Sequence, residues 1–350
     1  MQKIFSFLFF ILLGLGLNAQ DRLFSQFYAS PFTLNPALTG AFEGRFRVAA
    51  IYRDQWRAAM EKPYATFSTS LDIKWRMGGN KAKYKDYAAV GLMFYNDKAG
   101  SLNYSTSQIS VSGAYHKSLD NRNTQYLSIG FQGGIAQRNL NYADITFEDQ
   151  FNGATGYTDP TQERLPENNF TYGDYSVGLN YVFSPRYSRT RFFVGAAMHH
   201  FLTPSIGFFY RSNPDANYAE VKLDARYAAQ FSAVLPITKE RLQLLPRVIF
   251  DLQGDYMKMD AGTNLRINTS SYKNIALHIG AYARPVNNQD NNIRVDALVA
   301  LLGIEFNNVL FGFSYDLNLG EVTQVNRRAF EISVAYLGEY EDDLILCPKF

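Results

Sequence analysis

The chain has 350 residues, with 34 Lys and Arg against 32 Asp and Glu. Its basic residues are dispersed and its net charge is close to zero, which excludes a nucleic-acid footprint. Its one cysteine, Cys347, excludes an internal disulfide framework and any Cys-based zinc site.

The N-terminus reads as an export signal. Lys3 supplies a positive start, residues 4–13 are almost unbroken apolar, and Leu17-Asn18-Ala19 suits cleavage, so residues 1–19 are expected to leave a mature chain beginning at Gln20. No cysteine follows that site, which argues against a lipoprotein anchor, and the apolar run is short for a retained spanning helix. Residues 20–44 lack alternation and contain Pro31 and Pro36, so they are expected to precede the wall as a periplasmic or plugging segment.

From residue 45 onward the chain repeats one pattern, about ten residues of apolar/polar alternation followed by a polar turn. In Tyr64–Trp75, Phe67, Leu71, Ile73 and Trp75 fall on one face and Ser68, Ser70, Asp72 and Lys74 on the other. Successive strand side chains point to opposite faces, so such a segment meets an apolar medium on one side and a wet one on the other. A soluble sandwich also asks for that, but long segments recurring behind an export signal are the pattern of a transmembrane barrel. Mean hydropathy is −0.21, too polar for a helical membrane protein but no objection to a barrel. No later stretch approaches the ~20 apolar residues of a spanning helix. The 28 Phe, 24 Tyr and 2 Trp suit interfacial girdles, with an aromatic-rich binding surface or sandwich core as the alternative.

Fourteen strands are predicted: Arg45–Gln55, Tyr64–Trp75, Tyr87–Asn96, Tyr104–Lys117, Gln125–Arg138, Tyr172–Phe183 and Phe192–His200, then Leu223–Leu235, Pro246–Tyr256, Ala261–Thr269, Asn274–Arg284, Arg294–Phe306, Val309–Leu319 and Phe330–Tyr336. Residues 297–302 are apolar on both faces, and the phase of Phe192–His200 is ambiguous. Asp120-Asn121-Arg122-Asn123 and Asn307-Asn308 are tight-turn material, and Asn287–Asn292 is a solvated loop. Two connections are long, Asn141–Thr171 and Leu202–Lys222, and lie two strands apart, so both fall on one rim. External loops are the long ones in outer-membrane barrels, and an even strand number then puts both ends of the wall on the periplasmic rim. The expected fold is all-β: one transmembrane antiparallel barrel over residues 45–350 in the outer membrane, with a C-terminal stretch that is either a last short strand or a tail.

Catalytic signals are weak. Gly14-Leu15-Gly16-Leu17-Asn18-Ala19 matches a dinucleotide fingerprint only formally, within the signal and with no strand before it. No Gly-x-Ser-x-Gly elbow, Walker loop or His-Glu-x-x-His occurs. His199-His200 would point to opposite faces of a strand, so one metal is not expected to take both. Asp251, Gln253 and Asp255 are expected on one strand face, and Asp316 and Asn318 on another. Calcium binding or acid/base chemistry there is weighed against lumen-facing polar residues, which are far commoner. Neither catalytic nor metal nor cofactor residues are assigned. For Cys347, an intermolecular or reactive thiol and a small apolar residue of a buried tail stand as alternatives.

The first mature segment carries Phe24-Ser25-Gln26-Phe27-Tyr28, then Asn35-Pro36-Ala37, then Tyr52-Arg53-Asp54-Gln55-Trp56, and the chain ends in Cys347-Pro348-Lys349-Phe350. This closely resembles the PorP/SprF family of outer-membrane proteins associated with type IX secretion and gliding. That family opens with a Ser-Gln-Tyr/Phe-Tyr stretch, an Asn-Pro-Ala step and an Arg-x-Gln-Trp strand, and commonly ends in Cys-Pro-Arg-Phe. Here Lys349 replaces the usual Arg and Asp54 sits inside the strand motif, while residues 315–319 look like the family's late strand. The positions carrying the resemblance are Gln26, Tyr28, Asn35, Pro36, Arg53, Gln55, Trp56, Cys347, Pro348 and Phe350. It implies a non-enzymatic barrel that partners a large secreted surface protein, such as a gliding adhesin, and other type IX components, during export or surface anchoring. From the residues themselves, Asn35-Pro36 presets a turn, Arg53 is a lumen or rim charge and Trp56 a girdle residue. The terminal aromatic resembles a barrel-assembly signal. Loop aromatics Phe147, Phe151, Tyr157, Phe208, Phe209 and Tyr210 are expected to anchor a partner. The alternative function is a transport barrel for fatty acids or other small apolar solutes, and an outer-membrane hydrolase would need clustered catalytic side chains that the sequence lacks.

Overall fold

The computed structural model describes residues 24–338 apart from 59, 61, 79–83, 101–102, 144, 186–188, 213–217, 239–240, 271–274, 288–291 and 320–327. The expected signal peptide, most of the Asn287–Asn292 loop and the Cys347, Pro348 and Phe350 ending lie outside the described residues.

Fourteen antiparallel strands close into one barrel in simple sequence order. The first seven are β1 (Phe46–Gln55), β2 (Tyr64–Met77), β3 (Asp86–Ala99), β4 (Tyr104–Ser118), β5 (Gln125–Asn139), β6 (Asn169–Phe183) and β7 (Arg191–His199). They are followed by β8 (Arg226–Thr238), β9 (Leu242–Gln253), β10 (Tyr256–Ser270), β11 (Ile275–Asn287), β12 (Ile293–Phe306), β13 (Val309–Asn318) and β14 (Arg328–Gly338). β14 pairs with β1 from Phe46↔Gly338 to Gln55↔Ala329, so no sheet edge is left. Closure lets the wall's backbone groups pair within the sheet, as a lipid environment requires. Proline cannot donate to such a ladder, and the strand prolines fall where it is interrupted. Pro236 and Pro285 sit at register shifts, and Pro246 lies where the β8–β9 pairing skips from Ser232↔Arg247 to Leu235↔Leu244.

Alternation sorts the side chains inside out relative to a soluble protein. On β2, Trp75 is 48% exposed to the outside while Asp72 is fully buried in the lumen. On β13, Phe311, Phe313 and Leu317 face out, and Ser314 and Asp316 face in. Aromatic pairs cross the β1–β14 seam at both ends, Phe46 with Tyr336 and Tyr52 with Phe330. Residues 297–302, apolar on both faces, turn Ala297, Val299 and Leu301 inward, where Val299 and Leu301 pack with Tyr282 and Tyr28.

The structure corrects three details. Asp255 is not on a strand face: Gly254, in the left-handed region at φ +55°, and Asp255 form the two-residue turn joining β9 to β10, which splits the predicted Pro246–Tyr256 segment. β8 begins at Arg226 rather than Leu223, because Leu223 belongs to the preceding loop and tucks against Ile206, Ala136 and Tyr172. His199 and His200 both point into the lumen, because the strand ends at His199 and His200 takes a left-handed backbone at φ +55° that turns its ring back inward.

Connections after odd-numbered strands share one rim, and the long ones, residues 140–168 and 200–225, are both there. Long loops are the external ones in outer-membrane barrels, so that rim faces out, and the connections of the opposite, periplasmic rim, where β1 starts and β14 ends, are all short. Residues 24–44 occupy the lumen. Phe32, Ala37 and Phe42 within them are almost completely buried.

Candidate functional site

The segment 24–44 traverses the barrel from the external mouth to the periplasmic rim, and its contacts can be followed downward. At the top, the backbone N–H groups of Ser25 and Gln26 each donate to the Glu331 carboxylate at 2.7 Å. The Ser25 hydroxyl donates to Asp316 and accepts from Arg53 at 2.9 Å and Arg284 at 2.6 Å. These partners lie at the outer ends of β1, β11, β13 and β14. They extend an alternating chain of buried charges: Glu331 binds Arg53, Arg53 binds Asp316 at 3.0 Å, Asp316 binds Arg284 at 2.8 Å, and Asp260 links Arg284 to Lys258 at 2.8 Å each. Acids and bases balance along it, so the desolvation of each charge is offset by a neighbour. Gln26 reads the same wall, donating to Ser314 Oγ and the Glu331 carbonyl and accepting from Ser333 Oγ at 2.7 Å. The Tyr28 ring packs on the lumen-facing apolar residues and carries the Arg247 guanidinium 5.1 Å from its centre.

Halfway down, Asn35 is extended (φ −161°), as a residue before proline should be. Its Oδ1 accepts from the Ala37 N–H at 2.8 Å, capping the helical turn Pro36–Leu38, while its Nδ2 donates to the Leu179 and Ala196 carbonyls of the wall. The wall has no side chain where the segment presses closest. A Cβ on Gly130 would lie 2.4 Å from the Ala37 amide and Pro36 carbonyl, and one on Gly178 would lie 2.0 Å from Asn35 Oδ1. At the bottom, Gly40 N–H donates to Asp72 at 2.7 Å, and Arg47 holds the same carboxylate through two hydrogen bonds. Phe42 lies under both Arg47 and Lys74, 4.9 and 4.6 Å from its ring centre, and Glu43 pairs with Arg191.

Of the motif positions on the wall, Arg53 is in the lumen network. Gln55 ends β1 opposite Tyr64 and Ala329. Trp56 follows at φ +64°, its amide bound to the Arg328 carbonyl and its ring edge-on to Tyr64 at 5.0 Å. Asp54, on the outward face, is covered by Arg57 and Tyr52. Asp316, weighed as a calcium or acid/base residue, is saturated by Arg53, Arg284 and Ser25. Asp251 and Gln253 are lumen-facing, and Gln253 donates to the Asp224 carbonyl. Among the described residues no group of three or more His, Cys, Asp or Glu side chains could hold a metal. His116 bridges Ser128 and the Thr39 carbonyl, His199 bridges Ser176 and the Leu34 carbonyl, and His200 pairs with Asp174 at 2.7 Å. All three thus hold plug or wall.

The six loop aromatics divide. Phe151 and Tyr157, 53% and 55% exposed, bridge one another across a small hairpin with rings 5.3 Å apart. Phe209 is exposed beside Tyr218, a residue the loop reading had not singled out. Phe208 instead turns inward, 4.7 Å from Phe170 and 6.4 Å from Tyr104, and Phe147 and Tyr210 are half-buried. The lumen partners Glu331 and Asp260 carry no sequence expectation, and Arg284, on the polar face of the predicted Asn274–Arg284 strand, carries none as an ion-pair partner. Their one sequence signal is charge in the inward phase of outer strand ends.

Residues 16–336 match the family model described as type IX secretion system membrane protein PorP/SprF. The chain belongs to that family. This PorP/SprF protein is an outer-membrane β-barrel of the type IX secretion system. No curated protein matches it significantly. Among solved structures, a Pseudomonas aeruginosa FadL homologue aligns with 86% of this chain and 92% of its own at 10% identity and a TM-score of 0.49. BamA from Haemophilus ducreyi lacking POTRA domains 1–3 aligns with 84% of this chain and 70% of its own, at 8% identity and 0.42. The beta domain of the Bordetella autotransporter BrkA aligns with 84% and 99%, at 13% and 0.39. For the PorP/SprF chain these likenesses extend to architecture and no further.

Proposed function

We propose that the barrel is a non-enzymatic docking component of type IX secretion, which holds a large secreted or adhesin-type surface protein at the outer face for export or anchoring. The observation that carries this reading is the pairing of a filled lumen with an aromatic outer rim. Residues 24–44 occupy the interior, while Phe151, Tyr157, Phe209 and Tyr218 stand exposed on the two long loops of one rim. Rigid aromatic side chains of that kind are the usual anchors of protein interfaces. Residues 1–19 act as the export signal, and contacts to other type IX components and a part in gliding belong to the same reading. A transport barrel for fatty acids is disfavoured by a lumen of buried ion pairs and amides threaded by a pinned segment.

The test is to shorten both loops, removing 148–160 and 207–219, and to replace Phe151, Tyr157 and Phe209 by serine in a second strain. Co-purification of the secreted partner from outer membranes and its display on the cell surface are then measured. Loss of both in each strain is expected. Undiminished display, with the barrel still folded by its heat-modifiable mobility on gels, would sink docking at this rim.

A further inference from the structure

Between the plug and the wall of β3–β8, in the external half of the lumen, lies a cavity of about 270 Å³. Phe32 and Thr33 of the plug form one side, and Leu223 of the long β7–β8 loop leans over it. Arg138, 8% exposed, reaches in from the outer end of β5, its guanidinium 5.7 Å from the ring centres of both Tyr104 and Tyr172. Those rings hold it by cation–π contact, but no carboxylate pairs with it among the described residues, and its Nε is buried without a hydrogen-bond partner. Arg47, Arg53, Lys258 and Arg284, by contrast, each have a carboxylate within 3.0 Å.

The acids lining the same cavity are already engaged. Asp174 takes His200 and Gln108 Nε2 at 2.9 Å, and Asp97 takes the Thr66 hydroxyl at 2.7 Å. Further down β5, Gln132 is 4% exposed and its Oε1 is also buried without a partner. Arg138 and Gln132 share the inward face six residues apart, about 20 Å along the strand. A buried unpaired guanidinium calls for an anion, and its planar fork matches a carboxylate bidentately. Asp97 and Asp174 nearby set the charge, since two carboxylates repel a dianion more than a monoanion.

We propose that this cavity binds a carboxylate entering from the outer face, with Arg138 as its ionic partner. The site lies beneath the loops and is independent of docking on their tips, so either can fail alone. The carboxylate belongs to a free small acid or to the end of an extended chain.

The experiment uses the full barrel folded in detergent, titrated calorimetrically with acetate, acetyl-trialanine, acetyl-trialanine amide and inorganic phosphate. Saturable binding of the acid forms is expected, at least tenfold weaker for the amide and weaker for phosphate. Acetyl-trialanine tighter than acetate identifies a chain end, and equal affinity a free acid. Arg138→Gln is expected to lose at least tenfold and Arg138→Lys less. No saturable binding, an amide as good as the acid, phosphate tighter than acetate, or Arg138→Gln unchanged would each overturn the proposal. If Arg138→Gln does not fold, the acid-against-amide comparison on the unaltered protein still decides.

Discussion

Arg53 on β1 and Glu331 on β14 are direct cross-strand partners, and their side chains meet in the lumen across the seam where the last strand closes on the first. The same two side chains grip Ser25, so one ion pair joins the wall's ends to each other and to the plug. Arg53→Met would leave Glu331 and Asp316 short of a cation in a buried site, which typically costs about 3–5 kcal/mol. A lower urea midpoint for the detergent-folded barrel measures it. The double change Arg53→Met with Glu331→Leu should cost less than Arg53→Met alone, because no lone carboxylate then remains at the seam.

The wall glycines predict a different outcome from the same assay. Gly130→Ala places a methyl group against the Pro36–Ala37 backbone, and overpacking of this kind costs roughly 1–3 kcal/mol. The segment should shift while the barrel stays closed, so limited proteolysis within residues 24–44 rises as heat-modifiable mobility persists. Gly113→Ala is the control: its Cβ would meet only the Ala89 carbonyl at 3.8 Å, and a change within about 0.5 kcal/mol is expected.

Asp120 makes the β4–β5 turn pH-dependent. Burial raises its pKa, but the Thr124 hydroxyl and the N–H groups of Gln125, Thr124 and Arg122 outweigh that and hold it below its ordinary value. A carboxylate depressed in the folded state stabilises fully above its unfolded value of about 3.9, and that stabilisation is lost as pH falls through the lower folded value. Hydrogen exchange at the Thr124 and Gln125 amides should therefore accelerate, beyond its intrinsic pH trend, only in that acid window. Asp120→Asn should abolish the step.

How much of this was legible in the sequence depended on whether the information was local. The alternation of Tyr64–Trp75 is a local consequence of two solvents meeting at one strand, and β2 runs Tyr64–Met77. The β9–β10 turn was misplaced because Gly254-Asp255 interrupts the apolar pattern no more than a lumen-facing pair would. Leu223 reads as part of a strand because an apolar residue folded over the mouth looks the same in sequence as one in the wall. Asn35-Pro36 announced a turn, but its hold on the Leu179 and Ala196 carbonyls depends on residues far away in sequence. The chain of charges from Glu331 to Lys258 was illegible for the same reason. Each member is an ordinary polar residue in the inward phase of its own strand, and only closure brings them together.

The segment 24–44 runs inside the wall and continues directly into β1, which bears on how the barrel is assembled. Once β14 has paired with β1, a stretch bearing Phe32, Phe42 and a capped turn would have to be drawn through a lumen it already fills. Gathering the segment in while the sheet is still an open, curling ribbon avoids that passage, and the final strand pairing then encloses it. On that route the sheet wraps around its own first segment, and the β1–β14 seam is the lid that shuts over it.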